Sequence, residues 1–272
     1  MIDDSQLEPP LPIATILAAT AHRPYPLPGG HWRLRQRWND LLFAHWPIPP
    51  AVIQNLLPPG LEVDTFDGEA WIGVIPFWMD QVRTRIAGSR TIAVPTTTTF
   101  PELNLRTYVR SRVSGLAGVY FFSLDCASPL AVFGARTLFH LPYFPAKMSR
   151  TTQAGLTHYS SHRQFTRSPA DYESTYYPLA TRPESFGSDP LSRFLTERYC
   201  LFTPSRGRML VGHIHHLPWP LEPAHAEIRL NQIPRAHGVT LPDTPPILHF
   251  SRQLQVFLWG LRTDGPGDSS YR

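Results

Sequence analysis

Lys147, within HLPYFPAKMSR (residues 140–150), is the only lysine in a chain of 272 residues, and every other member of its 25 lysine and arginine residues is arginine. A neutral lysine amine adds to a ketone, loses water and leaves a protonated imine that accepts electrons when a neighbouring bond breaks. An arginine guanidinium stays charged and cannot do this. An exposed amine with pKa ~10.4 is almost wholly protonated, so this chemistry requires Lys147 to be desolvated or set beside another cation. The apolar LPYF before it favours an inward path, which would bring the ammonium into one pocket with Glu102 and at least one arginine. The competing reading is an arginine-biased chain that kept one lysine on its surface.

A second group lies in ELNLRTYV. On a strand, Glu102, Asn104, Arg106 and Tyr108 share one face at steps of ~6.8 Å, so acid, amide, guanidinium and phenol line up. Such a row could bind and protonate a polar ligand. The opposite face, Leu103, Leu105, Thr107 and Val109, is itself credible core, which favours an interior for the polar row over a solvated exterior. In GHIHHLPW, His213 and His215 share a face and His216 takes the other, a pair suited to zinc. A hydrolase would need a third ligand, His225 or Glu222, and no spacing fixes one. No metal and no cofactor is therefore expected.

These residues need a scaffold, and the chain reads mainly as strand. In HWRLRQRW, Arg33, Arg35 and Arg37 alternate with Trp32, Leu34, Gln36 and Trp38. IPPAVIQNLLPPG reads as a short helix opened by proline and stopped by Pro58-Pro59-Gly60. Asp67-Gly68 between two β-rich runs suits a tight hairpin turn. VPTTTTFPELN reads as a polar loop, and LRTYVRSRV, GVYFFSLD and LAVFGARTLFHLPYF as successive strands, the last ended by Pro142 and Pro145. SDPLSRFLTERY reads as a helix capped by Asp189, and GRMLVGHIHHLPW as a further strand. Residues 1–30 read as an N-terminal arm and residues 263–272 as a mobile tail. The expectation is a single domain of α+β class, dominated by antiparallel sheet and closed into a β-barrel with a few short flanking helices.

Five ordered motifs, LLPPGLEVDTFDGEAWIGVIPF, FPELNLRTYV, LPYFPAKM, FLTERY and HHLPWPL, closely resemble the YqjF-like family of uncharacterised bacterial proteins. That family belongs to the acetoacetate decarboxylase-like superfamily. The resemblance implies its barrel fold, a small-molecule pocket and lyase chemistry on a small oxo acid or β-dicarbonyl compound. In the decarboxylases a Pro-Lys-Lys triplet supplies the Schiff-base lysine and a helper. The matching triplet is Pro145-Ala146-Lys147, with alanine at the nucleophile position and Lys147 at the helper position. FPE resembles the decarboxylase aromatic-x-Glu, which places Glu102 at an active-site carboxylate. Arg37 falls beside the arginine that holds the substrate carboxylate. As an enzyme reading that joins this resemblance to the residues themselves, Lys147, the only amine available, is the nucleophile, Glu102 the proton shuttle, and Arg106 or Arg37 the carboxylate partner, with Asn104 and Tyr108 also around the substrate. A non-catalytic binding barrel and a metal-assisted hydrolase remain as alternatives.

Composition narrows the partners. Net charge is +4 with scattered arginines and no nucleic-acid signature, so nucleic acid is not expected and a carboxylate-bearing ligand is compatible. Two cysteines make no disulfide framework or metal knuckle, which suits a reducing compartment. The N-terminus leads with acidic rather than basic residues, unlike an export signal, and no apolar run reaches the ~18 residues of a membrane span. A cytoplasmic protein is expected, with self-association left open. Neither a G-x-S-x-G elbow nor a glycine-rich phosphate loop is present.

Overall fold

The structure is a computed structural model that describes residues 11–88, 90–93, 99–166, 168–180 and 186–265. Helix α1 (Ile13–Ala18) precedes the long strand β1 (Leu34–Ile48). Prolines at its start open α2 (Pro50–Gln54), which Ile53 anchors in the core. Strands β2 (Leu61–Val63) and β3 (Ala70–Ala87) flank Asp67 and Gly68. Their φ angles of 51° and 82° are the two positive dihedrals that the Asp-Gly turn requires. Strand β4 (Arg90–Ile92) folds back on β3, and β5 (Phe100–Ser111) and β6 (Ala117–Cys126) follow.

Helix α3 (Pro129–Leu138) occupies the segment expected to be a strand, and β7 (Tyr143–Gln153) begins only afterwards. The cause is local. The Ser128 side chain accepts from the Ala131 N–H and Pro129 sits in the first turn, so an apolar run that alternation alone leaves ambiguous is started as a helix. Pro145 lies inside β7 rather than ending it, opposite Cys126 of β6. The remaining elements are β8 (Leu156–Arg163), β9 (Asp171–Pro178), α4 (Pro190–Thr196), β10 (Cys200–Ser205), β11 (Arg208–His215), β12 (Ala224–Asn231), α5 (Ile233–Ala236), β13 (Ile247–Leu258) and β14 (Arg262–Thr263). Asp189 caps α4 as expected, accepting from the Ser192 N–H at 2.9 Å. Thr263, placed by the sequence in the tail, pairs with Leu210 of β11. Residues 266–272, the first ten residues of the arm and residues 94–98 of the polar loop lie outside the described residues.

The fold is mixed α+β, mostly strand, with five short helices among the described residues. A 14-stranded sheet joins the strands. Its pairings run β5–β6–β10–β11–β13–β1–β3 and return to β5, largely antiparallel, with a parallel join between β6 and β10. Strand β7 leaves this ring, pairing in parallel with β6 over Tyr143–Pro145 and then antiparallel with β8. Strands β9 and β12 complete an outer sheet.

Two cores result. One lies inside the ring and includes Phe43, Phe77, Leu124 and Trp219. The other, between the ring and the outer sheet, includes Ala44, Ile72, Leu103, Leu105, Tyr159 and Tyr172. Strand β5 is therefore buried on both faces, with its leucines in the outer core and its polar row turned inward. Among the described residues, no helix is long and apolar enough to cross a membrane.

Candidate functional site

Glu102, Asn104 and Arg106 line one cavity of about 460 Å³, to whose wall every strand of the ring contributes. All three are buried. Strand parity brings them together, as the sequence row anticipated, and successive positions are spaced by ~6.8 Å. Cross-strand register orders them along the cavity. Phe100 stands opposite Met79, Glu102 opposite Phe77, and Arg106 opposite Gly73.

Arg106 lies at the inner end. Its guanidinium donates to the Leu195 carbonyl of α4 at 3.1 Å and to the Tyr108 hydroxyl at 3.3 Å, and sits over the Phe43 ring at 5.2 Å. Among the described residues no carboxylate pairs with it. Its Nε and the Asn104 Oδ1 are buried without hydrogen-bond partners. A cation withdrawn from water without a counter-ion is costly. It is also a ready partner for an anion that enters.

Tyr108, expected to touch the ligand, stands behind Arg106 instead. It is fully buried, donates to Leu195 O at 2.5 Å and meets the His45 Nε2 at 2.6 Å. Burial and the Arg106 charge hold His45 well below the usual imidazole range, so it remains neutral. Together Tyr108, His45 and α4 close the inner end.

Glu102 occupies the middle of the row. Burial is the main cause that raises its pKa to about 8, with the Asp125 charge adding and the Tyr143 hydrogen bond opposing. Tyr143 donates to its Oε2 at 2.7 Å, and burial keeps that phenol protonated, so the Glu102 proton resides on Oε1. The result is a neutral carboxylic acid near pH 7, able to donate to a carbonyl oxygen and to take the proton back. Tyr143 and His45 escaped the sequence reading. Tyr143 lies in the apolar LPYF, where nothing marks its hydroxyl for Glu102, and the signal for His45 is its parity with Phe43, a residue of the ring interior.

Lys147 is not in the cavity. It is exposed on β7, opposite His162 of β8, while Ala146 before it is buried. Parity is the reason. With Pro145 inside the strand, the chain stays extended and adjacent side chains take opposite faces. Lys147 and Glu102 are therefore not brought together, and the expected inward ammonium is corrected to an outward one. Arg37 is likewise displaced from the cavity, which Gln36 and Trp38 line instead. Arg37 forms a two-point ion pair with Asp80 of β3, which Asn39 also contacts at 3.1 Å.

The histidines at the end of β11 and just after it have protein partners. His215 Nε2 meets Ile16 O at 2.7 Å and its Nδ1 meets Arg23 at 3.3 Å, while His216 stacks on Tyr199. His225 stacks on Tyr177 and Glu222 pairs with Arg252, so neither joins His213 and His215 as a third ligand. No group of three metal-binding side chains occurs among the described residues. A larger, shallower depression of about 860 Å³ lies by α4, where Asp64 neutralises Arg110 and Arg198. That depression lies open to solvent, whereas the inner cavity holds a buried acid and a buried guanidinium on one strand and is the better candidate.

Comparison with known proteins agrees with this architecture. The enduracididine biosynthesis enzyme MppR, solved with HEPES buffer bound, superposes with a TM-score of 0.58 at 11% identity, covering 89% of this chain and 90% of that one. Acetoacetate decarboxylase from Legionella pneumophila gives a TM-score of 0.55 at 12% identity, covering 88% of both chains. At such identities the likeness speaks for the fold alone. An uncharacterized protein of Bacillus subtilis (strain 168), YqjF, is 44% identical over 236 residues, spanning 87% of this chain and 94% of that relative. Residues 35–255 match the family described as an uncharacterized conserved protein, and the chain therefore belongs to that family, DUF2071.

Proposed function

We propose that the ring is a closed barrel whose cavity binds a small carboxylate-bearing carbonyl compound, and that Glu102 moves a proton to and from it without a covalent imine. The observation that carries this reading is the row on β5. A buried guanidinium without a carboxylate partner among the described residues and a buried neutral carboxyl face the same cavity. Arg106, helped by the Asn104 amide, would hold the carboxylate, and Glu102 would protonate the carbonyl oxygen and, as the carboxylate so formed, take the α-carbon proton, leaving the enol and a neutral Glu102. MppR has also been solved in complex with pyruvate, an oxo acid of the expected class. The absence of an amine from the described cavity wall favours acid–base catalysis or simple binding over a Schiff base.

The test is deuterium exchange into a panel of oxo acids in heavy water, followed by proton NMR, alongside direct binding measurements. Enzyme-dependent exchange is expected. It should fall by roughly a hundredfold or more in Glu102→Gln while binding persists, the size ordinary for a general acid–base residue. Lys147→Arg should leave exchange unchanged. Binding without exchange would reduce the protein to a carrier. Failure of every acid to bind would remove the reading altogether.

A further inference from the structure

We infer that the ligand is an amphiphile, an aliphatic acid whose carboxylate lies against Arg106 and whose acyl tail passes Phe100 and leaves the cavity along α3; this rests on the reading of Arg106 as a carboxylate partner. Polar groups are confined to part of the cavity. Glu102 and Arg106 are the only charged residues among its described lining, and most of the wall is apolar. From Arg106 to Phe100 the strand rises roughly 20 Å, so the space is long, and a compact oxo acid would occupy only its inner end.

Helix α3 marks where the long axis meets solvent. Leu130, Phe133 and Leu138 are 47%, 66% and 71% exposed, yet all three line the cavity. Side chains that face both a cavity and water define its mouth. Their spacing of three and eight places them on one side of a helix. Only Val132 of this apolar helix is buried. Three large apolar side chains beside an opening are a poor match for water and a good one for an alkyl chain.

Calorimetric titration of the full chain with butanoate, hexanoate, octanoate, decanoate and the uncharged decanol tests this. Affinity is expected to rise roughly fourfold per added methylene, the increment for burying one such group. Decanol should bind at least about tenfold more weakly than decanoate. Phe133→Asp and Leu138→Asp, both at exposed positions that folding tolerates, should flatten the length dependence and leave the shortest acids unaffected. Length-independent binding of acids would overturn the amphiphile while sparing Arg106 as the carboxylate partner. Equal affinity for decanol and decanoate, or no binding by any acid, would overturn both. A length dependence untouched by either α3 variant would overturn the exit along α3.

Discussion

Glu102 keeps its proton in the fold because the carboxylate has lost its water and Asp125 lies nearby, and this links stability to pH. The folded pKa is about 8 and the unfolded one near the ordinary 4.5, so between these values the folded state binds the extra proton and stability falls as pH rises. The buried histidines act in the opposite sense and elsewhere. His216 is lowered to about 3 and His249 to about 4, so they withdraw stability as pH drops through 6.5, where they titrate in the unfolded chain. Asp125, raised to about 6 by burial, has largely titrated by about pH 7. Glu102 itself contributes a fall of up to about 1.4 kcal/mol per pH unit, halved by pH 8 where it is half titrated, and between about pH 7 and 8 the difference in slope between the native protein and Glu102→Gln isolates it. Denaturant unfolding should show that slope in the native protein and lose it in Glu102→Gln; equal slopes in the two would refute the assignment. Arg106 permits a second test. Arg106→Met removes a buried cation that has no carboxylate partner among the described residues, so it should unfold at the same or higher denaturant concentration while losing carboxylate binding. A loss of several kcal/mol would show that Arg106 serves structure first. Strand parity alone made the row from Glu102 to Arg106 legible in the sequence. The orientation of Lys147 was not legible, because it depends on whether Pro145 ends a strand or lies within one.

At the scale of elements, the join between β6 and β10 is as narrow as that between β11 and β13, with registered pairs only at Val119–Leu201 and Tyr120–Phe202, and it is the parallel one of the two. Gly118 sits beside it, and a Cβ there would come within 2.6 Å of the Cys200 carbonyl oxygen and sulfur. The oxygen is backbone and cannot rotate away. Gly118→Ala should thus part the two strands and cost roughly 1–3 kcal/mol, as overpacking does. Gly134 in α3 is the control, since nothing lies within 4 Å of its added Cβ. There alanine should stabilise by about 0.5–1 kcal/mol through helix propensity. Thermal unfolding of both variants checks the pair, and a Gly118→Ala protein as stable as the parent would contradict the close approach. No pattern in the sequence around Gly118 announces this contact, because its partner is 82 positions away. The turn at Asp67-Gly68 and the capped start of α4 were legible for the converse reason, their determinants being adjacent residues. Helix α3 was missed where both kinds of signal compete, an apolar run open to either period with its deciding cap at Ser128.

Across the whole molecule, the outer sheet is latched to the ring by more than apolar contact. Strand β7 belongs to both, Tyr159 donates to the Glu102 carbonyl at 2.7 Å, and Tyr176 donates to the Asp40 carbonyl at 2.9 Å. The Tyr159 bond reaches the backbone of the residue that carries the proton, so the outer sheet also fixes the position of Glu102. A chain of this length could unfold in parts, but the shared strand and the shared core argue for one cooperative unit. Hydrogen exchange under mild denaturant should give β8 and β9 the same opening free energy as β1, β3 and β5. Tyr159→Phe keeps the aromatic ring and removes a buried hydroxyl that reaches the carbonyls of both Phe77 and Glu102, so it should lower both groups together by about 1–2 kcal/mol. It should also slow any exchange chemistry at Glu102 without touching the cavity wall. If β8 and β9 open at a lower free energy than the ring, or if Tyr159→Phe weakens the outer sheet alone, the outer sheet is a separable layer. Positioning of Glu102 would then have to come from β5 and its ring neighbours by themselves.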